Sequence, residues 1–144
     1  DLNIYNIYFV ADIFGDPKAV HYYPNRHANG IDTSGILILE YPDFVCQCTA
    51  AKDSSAHNSA QIIGSDGNIL IEPGSNNCKK LVVTRKGKEP YISDISDTPW
   101  WYEILNISNF LIAPQDSVYE QRTRAMRSTV AVLEAARKDA HLDF

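Results

Sequence analysis

The sequence contains no apolar run that approaches the roughly 20 residues of a membrane-spanning helix. Positive charge is also scarce, since 13 lysines and arginines stand against 18 acidic residues and the net charge is −5. Surfaces that bind nucleic acids or anionic membranes need concentrated positive charge, so the composition argues against both partners. No secretory signal peptide is visible, and we therefore expect a cytoplasmic protein.

Cysteine is limited to three residues, Cys46, Cys48 and Cys78. Cys46 and Cys48 fall in a strand-like run, which places both thiols on one face of the strand. A zinc site would need a fourth ligand and turn-like spacing, so the better interpretation is small buried apolar residues in a reducing compartment. The four histidines are scattered along the chain. The sequence therefore predicts no metal site.

The seven glycines do not form the G-x-G-x-x-G pattern of a dinucleotide-binding turn. Gly64 and Gly67 have the wrong spacing and fall in a predicted hairpin rather than between a strand and a helix. The sequence therefore shows no cofactor fingerprint of its own. Because the chain opens on residues that already look functional, with no preceding strand, we expect further residues before Asp1 in the complete protein.

Four polar residues form one stripe on a helix predicted at residues 1–14, namely Asp1, Tyr5, Tyr8 and Asp12. At about 100° per residue, these four positions span about 60° of the helix circumference. Almost all other positions are apolar, which predicts a buried helix with one polar seam. Gly15 and Pro17 are typical of a helix end. Such a seam faces a cleft, a polar network or solvent.

The middle of the chain is predicted to form hairpins, with strands at residues 19–23, 31–41, 44–51, 60–64, 68–71 and 79–85. Pro42-Asp43 and Asp66-Gly67 are tight-turn signals between consecutive strands, so the strands are mainly antiparallel. The predicted loop at residues 24–30 is polar and contains His27. This loop is either a plain connection or part of a ligand rim.

The last third of the chain predicts two helices. Thr98 and Pro99 are suited to the start of a helix that runs to about residue 112. Ser117 and Glu120 form a capping box at the start of a longer helix. Trp100 and Trp101 are interpreted as helix-packing or interface residues. Together the elements predict an α+β fold with an open, mainly antiparallel sheet and helices packed on one face.

The second face of the sheet is predicted to be apolar as well, because neighbouring residues on a strand point to opposite faces. The residues concerned are Ile36, Leu37, Ile38, Leu39, Val82 and Val83. Helices on one side cover only one of these faces. We therefore expect a homo-dimer or tetramer that forms through the open sheet face.

Several segments resemble the C-terminal domain of the Gfo/Idh/MocA oxidoreductases, the family of glucose-fructose oxidoreductase and inositol dehydrogenase. Residues 1–5 (DLNIY) resemble the family's Asp-x-Gly-x-His/Tyr motif in its tyrosine form, although Asn3 stands where glycine is usual. Residues 62–69 (IIGSDGNI) resemble its central strand-turn-strand motif. Residues 102–110 and 129–137 resemble its next and closing helices. The likeness extends in the right order over essentially the whole chain.

The resemblance implies that residues 1–144 are a C-terminal substrate-binding and oligomerisation domain. The complete enzyme would use NAD or NADP and act on a sugar, a cyclic polyol or a related hydroxyl compound. The cofactor would be bound mainly by an N-terminal Rossmann domain that this chain lacks. That absent half would also carry the family's lysine, in a Glu-Lys-Pro motif. The chain alone is therefore expected to be inactive.

Four residues are predicted to form the site: Asp1, Asn3 and Tyr5 from the motif that carries the resemblance, and His27 from the polar loop at residues 24–30. Oxidation of a hydroxyl by hydride transfer needs a base for the hydroxyl proton, and Tyr5 is assigned to proton transfer. Tyrosine ordinarily ionises near pH 10, so a nearby cation, by resemblance the missing lysine, would have to favour the ionised form. Asp1, about one turn earlier, is assigned to binding and orienting a substrate hydroxyl. Asn3 and His27 complete the predicted substrate contacts.

Two other functions remain open from the sequence. The chain fits a non-catalytic ligand-binding or dimerisation module of the same fold, or a structural scaffold with no small-molecule site near Asp1 and Tyr5. From spacing alone, an aspartate and a tyrosine one turn apart are more often a surface pair or a helix-start cap. A Rossmann fingerprint in the complete gene would favour the enzyme.

Overall fold

The computed structural model describes residues 3–95, 99–114 and 116–142. Its helices are α1 (Ile4–Phe14), α2 (Pro99–Ile112) and α3 (Asp116–Asp139). Its strands are β1 (Ala19–Arg26), β2 (Asp32–Glu40), β3 (Val45–Ala51), β4 (Ala60–Gly64), β5 (Gly67–Glu72), β6 (Lys80–Arg85) and β7 (Tyr91–Asp94). The chain divides into two compact units. Unit 1 comprises residues 1–55 and 116–144, and unit 2 comprises residues 56–115.

Unit 1 is a three-stranded antiparallel sheet in the order β1-β2-β3, with contacts from α1 to β3 and from α3 to β1. Along β2 the side chains alternate, so that Leu37 and Leu39 are buried while Ile36 is exposed. Cys46 and Cys48 lie opposite Leu39 and Leu37 in the register of β2 and β3. The core contains Ile7, Val10, Leu37, Leu39, Tyr41, Cys48, Val132 and Ala136.

Helix α1 lies close to its predicted position. It ends at Gly15, which has a φ of 76° and donates its backbone N–H to the carbonyl of Ala11 at 3.0 Å. A positive φ is readily adopted only by glycine, so the predicted stop is confirmed. The expectation that nearly the whole circumference is buried is wrong, because Ile4 and Ile13 are exposed. A helix that rests on a sheet buries one face.

Helix α3 begins at Asp116, two residues before Val118, the first helical residue that the capping box predicts. Ser117 therefore lies inside the first turn, and its predicted role as the N-cap is wrong. Asp116 in the first turn and Arg137 and Lys138 in the last turn have the charges that favour the helix dipole at each end. The buried face of α3 carries Ala125, Ser128, Thr129, Val132 and Ala136.

Unit 2 contains a four-stranded antiparallel meander in the order β4-β5-β6-β7. The hairpin predicted around Asp66-Gly67 is present, with Gly64 paired to Gly67. Strand β7 was not predicted from the sequence, because its four residues are too short a pattern. Helix α2 has the predicted bounds, and both Trp100 and Trp101 are exposed on it. Thr98, the predicted N-cap, lies outside the described residues.

The α+β fold class is confirmed, with open antiparallel sheets. The strands lie in two sheets of three and four, where one continuous sheet was predicted. Hairpin signals identify only the pairing of consecutive strands. They do not decide whether successive hairpins join edge to edge. No helix in the described part of the chain combines the length and apolar character needed to cross a membrane.

Candidate functional site

The start of α1 is held on strand β3 by two asparagines. Asn3 donates its side-chain N–H to the carbonyl of Cys48 at 3.3 Å. Asn6 donates to the side-chain oxygen of Asn3 at 3.0 Å and to the carbonyl of Thr49 at 3.2 Å. The side chain of Asn3, predicted to contact substrate, therefore has a structural role at this position. Asp1, the predicted hydroxyl-binding residue, lies outside the described residues.

Tyr5 lies in the first turn of α1, immediately after this anchor, and its side chain is presented to the surface. The residue is 55% exposed, although the segment around it is mostly apolar. A tyrosine that served only to fill the core would be buried there. The exposure means that its hydroxyl is accessible to a ligand or to another part of a larger protein.

The polar stripe on α1 is divided between two roles. Asp12 accepts a hydrogen bond from Arg122 of α3 at 2.7 Å, and Gln121 lies 3.4 Å from its other oxygen. Against the effect of burial, the neighbouring Tyr8 and Asp12 side chains raise the pKa of the Arg122 guanidinium. These contacts join α1 to α3, so Tyr8 and Asp12 belong to a polar network between the helices. Tyr5 is the described member of the stripe that faces outward.

His27 lies in the turn that joins β1 and β2. Its backbone N–H donates to the carbonyl of Ile31 at 2.9 Å, and its ring nitrogen Nδ1 is 3.1 Å from the side-chain oxygen of Asn29. The turn is shorter than the predicted loop, because β1 continues to Arg26. The contacts recorded for His27 are thus local to its own turn, and its predicted contact with substrate remains a prediction.

A cleft of about 180 Å³ opens beside Asn3 in unit 1. Its lining comes from α1, α3, β1 and β2. The apolar lining residues are Ile7, Leu37, Leu133, Ala136 and Leu142, and the polar ones are Asn3, Tyr22, Asp32 and Arg137. A smaller hollow of about 40 Å³ adjoins it and shares Asn3, Tyr22 and Asp32. We call the two spaces together the Asn3 cleft.

Tyr22 and Asp32 form the polar pair common to both parts of the Asn3 cleft. The Tyr22 hydroxyl donates to Asp32 Oδ2 at 2.6 Å. Burial, and then the hydrogen bond to the Asp32 carboxylate, raise the pKa of Tyr22, so the hydroxyl stays protonated at neutral pH. Sequence reasoning missed both residues. The available signal was Gly35, because a glycine inside a strand often marks a close approach by another group.

The two thiols on β3 lie on the same face of the strand. Cys46 Sγ and Cys48 Sγ are 4.0 Å apart, and Cys48 is part of the core. The contact with Cys46 and burial raise the pKa of the Cys48 thiol, which suits a packing residue rather than a nucleophile. Among residues 3–95, 99–114 and 116–142, no group of three or more potential ligands is arranged to hold a metal ion.

Comparison with known proteins begins with sequence. No family model matches the chain. The chain is 27% identical over 139 residues to scyllo-inositol 2-dehydrogenase (NADP(+)) IolU of Bacillus subtilis, covering 96% of this chain and 42% of that protein. It is 28% identical over 89 residues to the uncharacterised oxidoreductase YgjR of Escherichia coli, covering 62% of this chain and 27% of that protein. The chain thus spans less than half the length of these curated relatives.

Solved structures share the fold over nearly the whole chain. UDP-N-acetylglucosamine 3-dehydrogenase GnnA from Acidithiobacillus ferrooxidans superposes with a TM-score of 0.72 at 15% identity, covering 98% of this chain and 47% of that one. Aldose-aldose oxidoreductase from Caulobacter crescentus gives a TM-score of 0.68 at 16% identity, covering 94% and 44%. These homologues and structural neighbours are Gfo/Idh/MocA-type oxidoreductases, so the family resemblance is confirmed. The chain covers a partial domain of such proteins.

Proposed function

We propose that this chain is the substrate-binding and oligomerisation part of an NAD- or NADP-dependent oxidoreductase. The substrate class is a sugar, a cyclic polyol or a related hydroxyl compound. The names of IolU and GnnA support this class, since each describes a dehydrogenase that acts on a ring compound bearing hydroxyls. The observation that carries the proposal is Tyr5, an exposed tyrosine on a helix start that is anchored to the sheet.

The chemistry assigned to this chain is proton transfer. When a carbinol is oxidised, its carbon loses a hydride and its hydroxyl loses a proton. Tyr5 would accept that proton, and in the reverse direction would donate it. Asn3 and Asn6 would fix the position of Tyr5 by holding the first turn of α1 on β3. Asp1 and His27 are proposed as further substrate contacts.

The nicotinamide cofactor, which would take or give the hydride, does not fit a site within the described residues. Dinucleotide sites of the Rossmann type need a parallel strand, a glycine-rich turn and a helix in succession. The strands here pair in antiparallel hairpins. The cofactor would therefore be bound mainly by residues outside this chain.

We expect the 144-residue chain alone not to bind NAD, NADP or their reduced forms, and not to oxidise any sugar or polyol with them. Isothermal titration with each nucleotide is the measurement, with full-length B. subtilis IolU as the positive control. Saturable binding of either nucleotide to the isolated chain would contradict the proposal that the cofactor is bound mainly by residues outside it.

We also propose that the uncovered face of the β1-β2-β3 sheet forms a homo-dimer or tetramer contact. That face carries Tyr23 and Ile36, which are paired in register and are 66% and 41% exposed. It also carries Val45, which is exposed at one end of β3. Polar residues share this face, because His21, Glu40 and Gln47 occupy the same side in the register. Protein interfaces combine exposed apolar and polar side chains in this way, so the face on the side away from the helices is suited to self-association.

Light scattering at micromolar concentration is expected to give the mass of a dimer or tetramer. Ile36→Lys should shift the mass towards the monomer, because a charge would be buried at the contact. The matched control uses Ile63, an exposed isoleucine on β4 in the other sheet. Ile63→Lys should leave the mass unchanged. A monomer for the unmodified chain would show that the open face is not an interface.

A further inference from the structure

We infer that the Asn3 cleft, with the Tyr22–Asp32 pair on its wall, is a subsite that binds the hydroxyls of a single polyol ring. The inference rests on the proposed function and extends it, since it names residues that would recognise the substrate. None of these residues except Asn3 belongs to the motif on α1. The argument depends on how the pair is built, what it can bind and how large the cleft is.

The pair is built around a glycine. On β1 and β2, Tyr22 lies opposite Leu37, and the next pair on the same face of the sheet is Pro24–Gly35. A Cβ atom on residue 35 would lie 2.5 Å from Cε2 and 2.6 Å from the hydroxyl oxygen of Tyr22. The absence of a side chain at Gly35 therefore lets the tyrosine ring lie along the sheet. Its hydroxyl then reaches Asp32 at the start of β2, with a hydrogen bond of 2.6 Å.

The pair has capacity for a ligand. An ionised carboxylate accepts at about four lone-pair positions, and the Tyr22 hydroxyl occupies one of them on Oδ2. Asp32 therefore retains capacity to accept hydrogen bonds from ligand hydroxyls, and the Tyr22 oxygen can itself accept one. Hydrogen bonds to a charged group are stronger than those between neutral groups. Two adjacent hydroxyls on one ring could each donate a hydrogen bond to the Asp32 carboxylate.

The rest of the cleft suits the carbon skeleton of such a ring. The lining also includes apolar side chains, of which Ile7 and Leu37 are buried and Leu133 is partly buried. Small-molecule sites typically combine a mostly apolar lining with a few placed polar groups. A polyol ring has the same division, because its C–H faces are apolar and its edge carries hydroxyls.

Size and position restrict the ligand further. At about 180 Å³, the larger part of the cleft is below the roughly 300 Å³ at the lower end of pockets for drug-sized ligands. A single ring is therefore favoured over a whole nucleotide sugar. Asn3 lines both parts of the cleft and stands two residues before Tyr5 at the start of α1. The subsite and Tyr5 thus lie at the same end of α1 but on different faces of it, because residues two positions apart are separated by about 200° around a helix.

The experiment is a titration of the chain with scyllo-inositol, followed by isothermal calorimetry and by amide chemical shifts. We expect millimolar or tighter binding, with the largest shifts at Asn3, Tyr22 and Asp32. Asp32→Asn should weaken binding about tenfold or more, and Tyr22→Phe should weaken it severalfold. The controls are Tyr23→Phe, on the opposite face of β1, and Asp43→Asn, in the β2–β3 turn. Both should bind like the unmodified chain.

Three results would overturn the inference. One is no binding of scyllo-inositol to the unmodified chain at tens of millimolar. The second is binding that shifts amides elsewhere, and the third is equal affinity in all variants. The Tyr22–Asp32 hydrogen bond also joins β1 to β2, so a variant that lacks it could unfold. In that case the amide shifts of the unmodified chain still show whether scyllo-inositol binds at Asn3, Tyr22 and Asp32.

The outcome separates the subsite from the proposed function. If the complete protein oxidises a polyol and Tyr22→Phe leaves KM unchanged, the oxidoreductase proposal stands and the subsite is wrong. If scyllo-inositol binds through Tyr22 and Asp32 but no nicotinamide-dependent turnover exists, the subsite stands and the oxidoreductase proposal fails.

Discussion

Tyr5→Phe is expected to lower the turnover rate of the complete enzyme about 10²- to 10⁴-fold, the usual contribution of a positioned acid or base. The substitution keeps the ring and removes only the hydroxyl that would exchange the proton. Because Tyr5 is largely exposed, its loss should leave the fold intact. Steady-state kinetics with a polyol and NADP, over a range of pH, provide the measurement. Substrate binding should be less affected, whereas Asp1→Asn should weaken it.

Tyr8→Phe is the matched control, one turn further along α1. Its side chain lies next to Arg122 in the network between α1 and α3, so removal of its hydroxyl should leave turnover close to that of the unmodified enzyme. Near-normal turnover of Tyr5→Phe across the pH range would show that the proton-transfer role is wrong. That result would favour a non-catalytic ligand-binding or dimerisation module of the same fold.

Leu37→Ala is expected to lower the free energy of unfolding by about 2–5 kcal/mol, the range for large-to-small changes at fully buried aliphatic positions. Leu37 is 1% exposed on the central strand of the sheet in unit 1. It belongs to the core cluster that includes residues of α1 and α3, so truncation removes contacts with both helices and enlarges the Asn3 cleft, which Leu37 lines. Urea denaturation followed by circular dichroism gives the difference.

Ile36→Ala is the control for this experiment, because Ile36 is the preceding residue on β2 and points to the opposite, uncovered face. At a concentration low enough to keep the protein monomeric, its effect should be about 1 kcal/mol or less. Equal losses of unfolding free energy for Leu37→Ala and Ile36→Ala would show that Leu37 and Ile36 do not point to the core and to the open face, respectively.

Local sequence patterns were sufficient where the controlling interactions are local. The glycine and proline after residue 14 ended α1 as expected, since backbone conformation at Gly15 requires a positive φ. Asp66-Gly67 specified a hairpin for the same kind of reason. The predicted start of α3 was wrong by two residues, because Asp116 and Ser117 both suit a helix start and the pattern does not choose between them.

Local sequence patterns could not distinguish the roles of the residues in the polar stripe. On a helical projection, Tyr5, Tyr8 and Asp12 are equivalent. Only the packing of α3 against α1 separates them, because Arg122 reaches Tyr8 and Asp12 and leaves Tyr5 facing outward. No spacing near residue 12 encodes a partner more than a hundred positions further along the chain.

The sequence by itself determined the elements and the family resemblance, because periodicity, turn residues and short motifs act over a few neighbouring positions. The tertiary structure alone decided which polar side chains meet. Tyr22 reaches Asp32 because the register of β1 and β2 places Gly35 beneath its ring. Asn3 joins them because α1 is anchored on β3. A cleft forms from contacts between residues distant in sequence, and its lining is therefore specified by packing rather than by any local pattern.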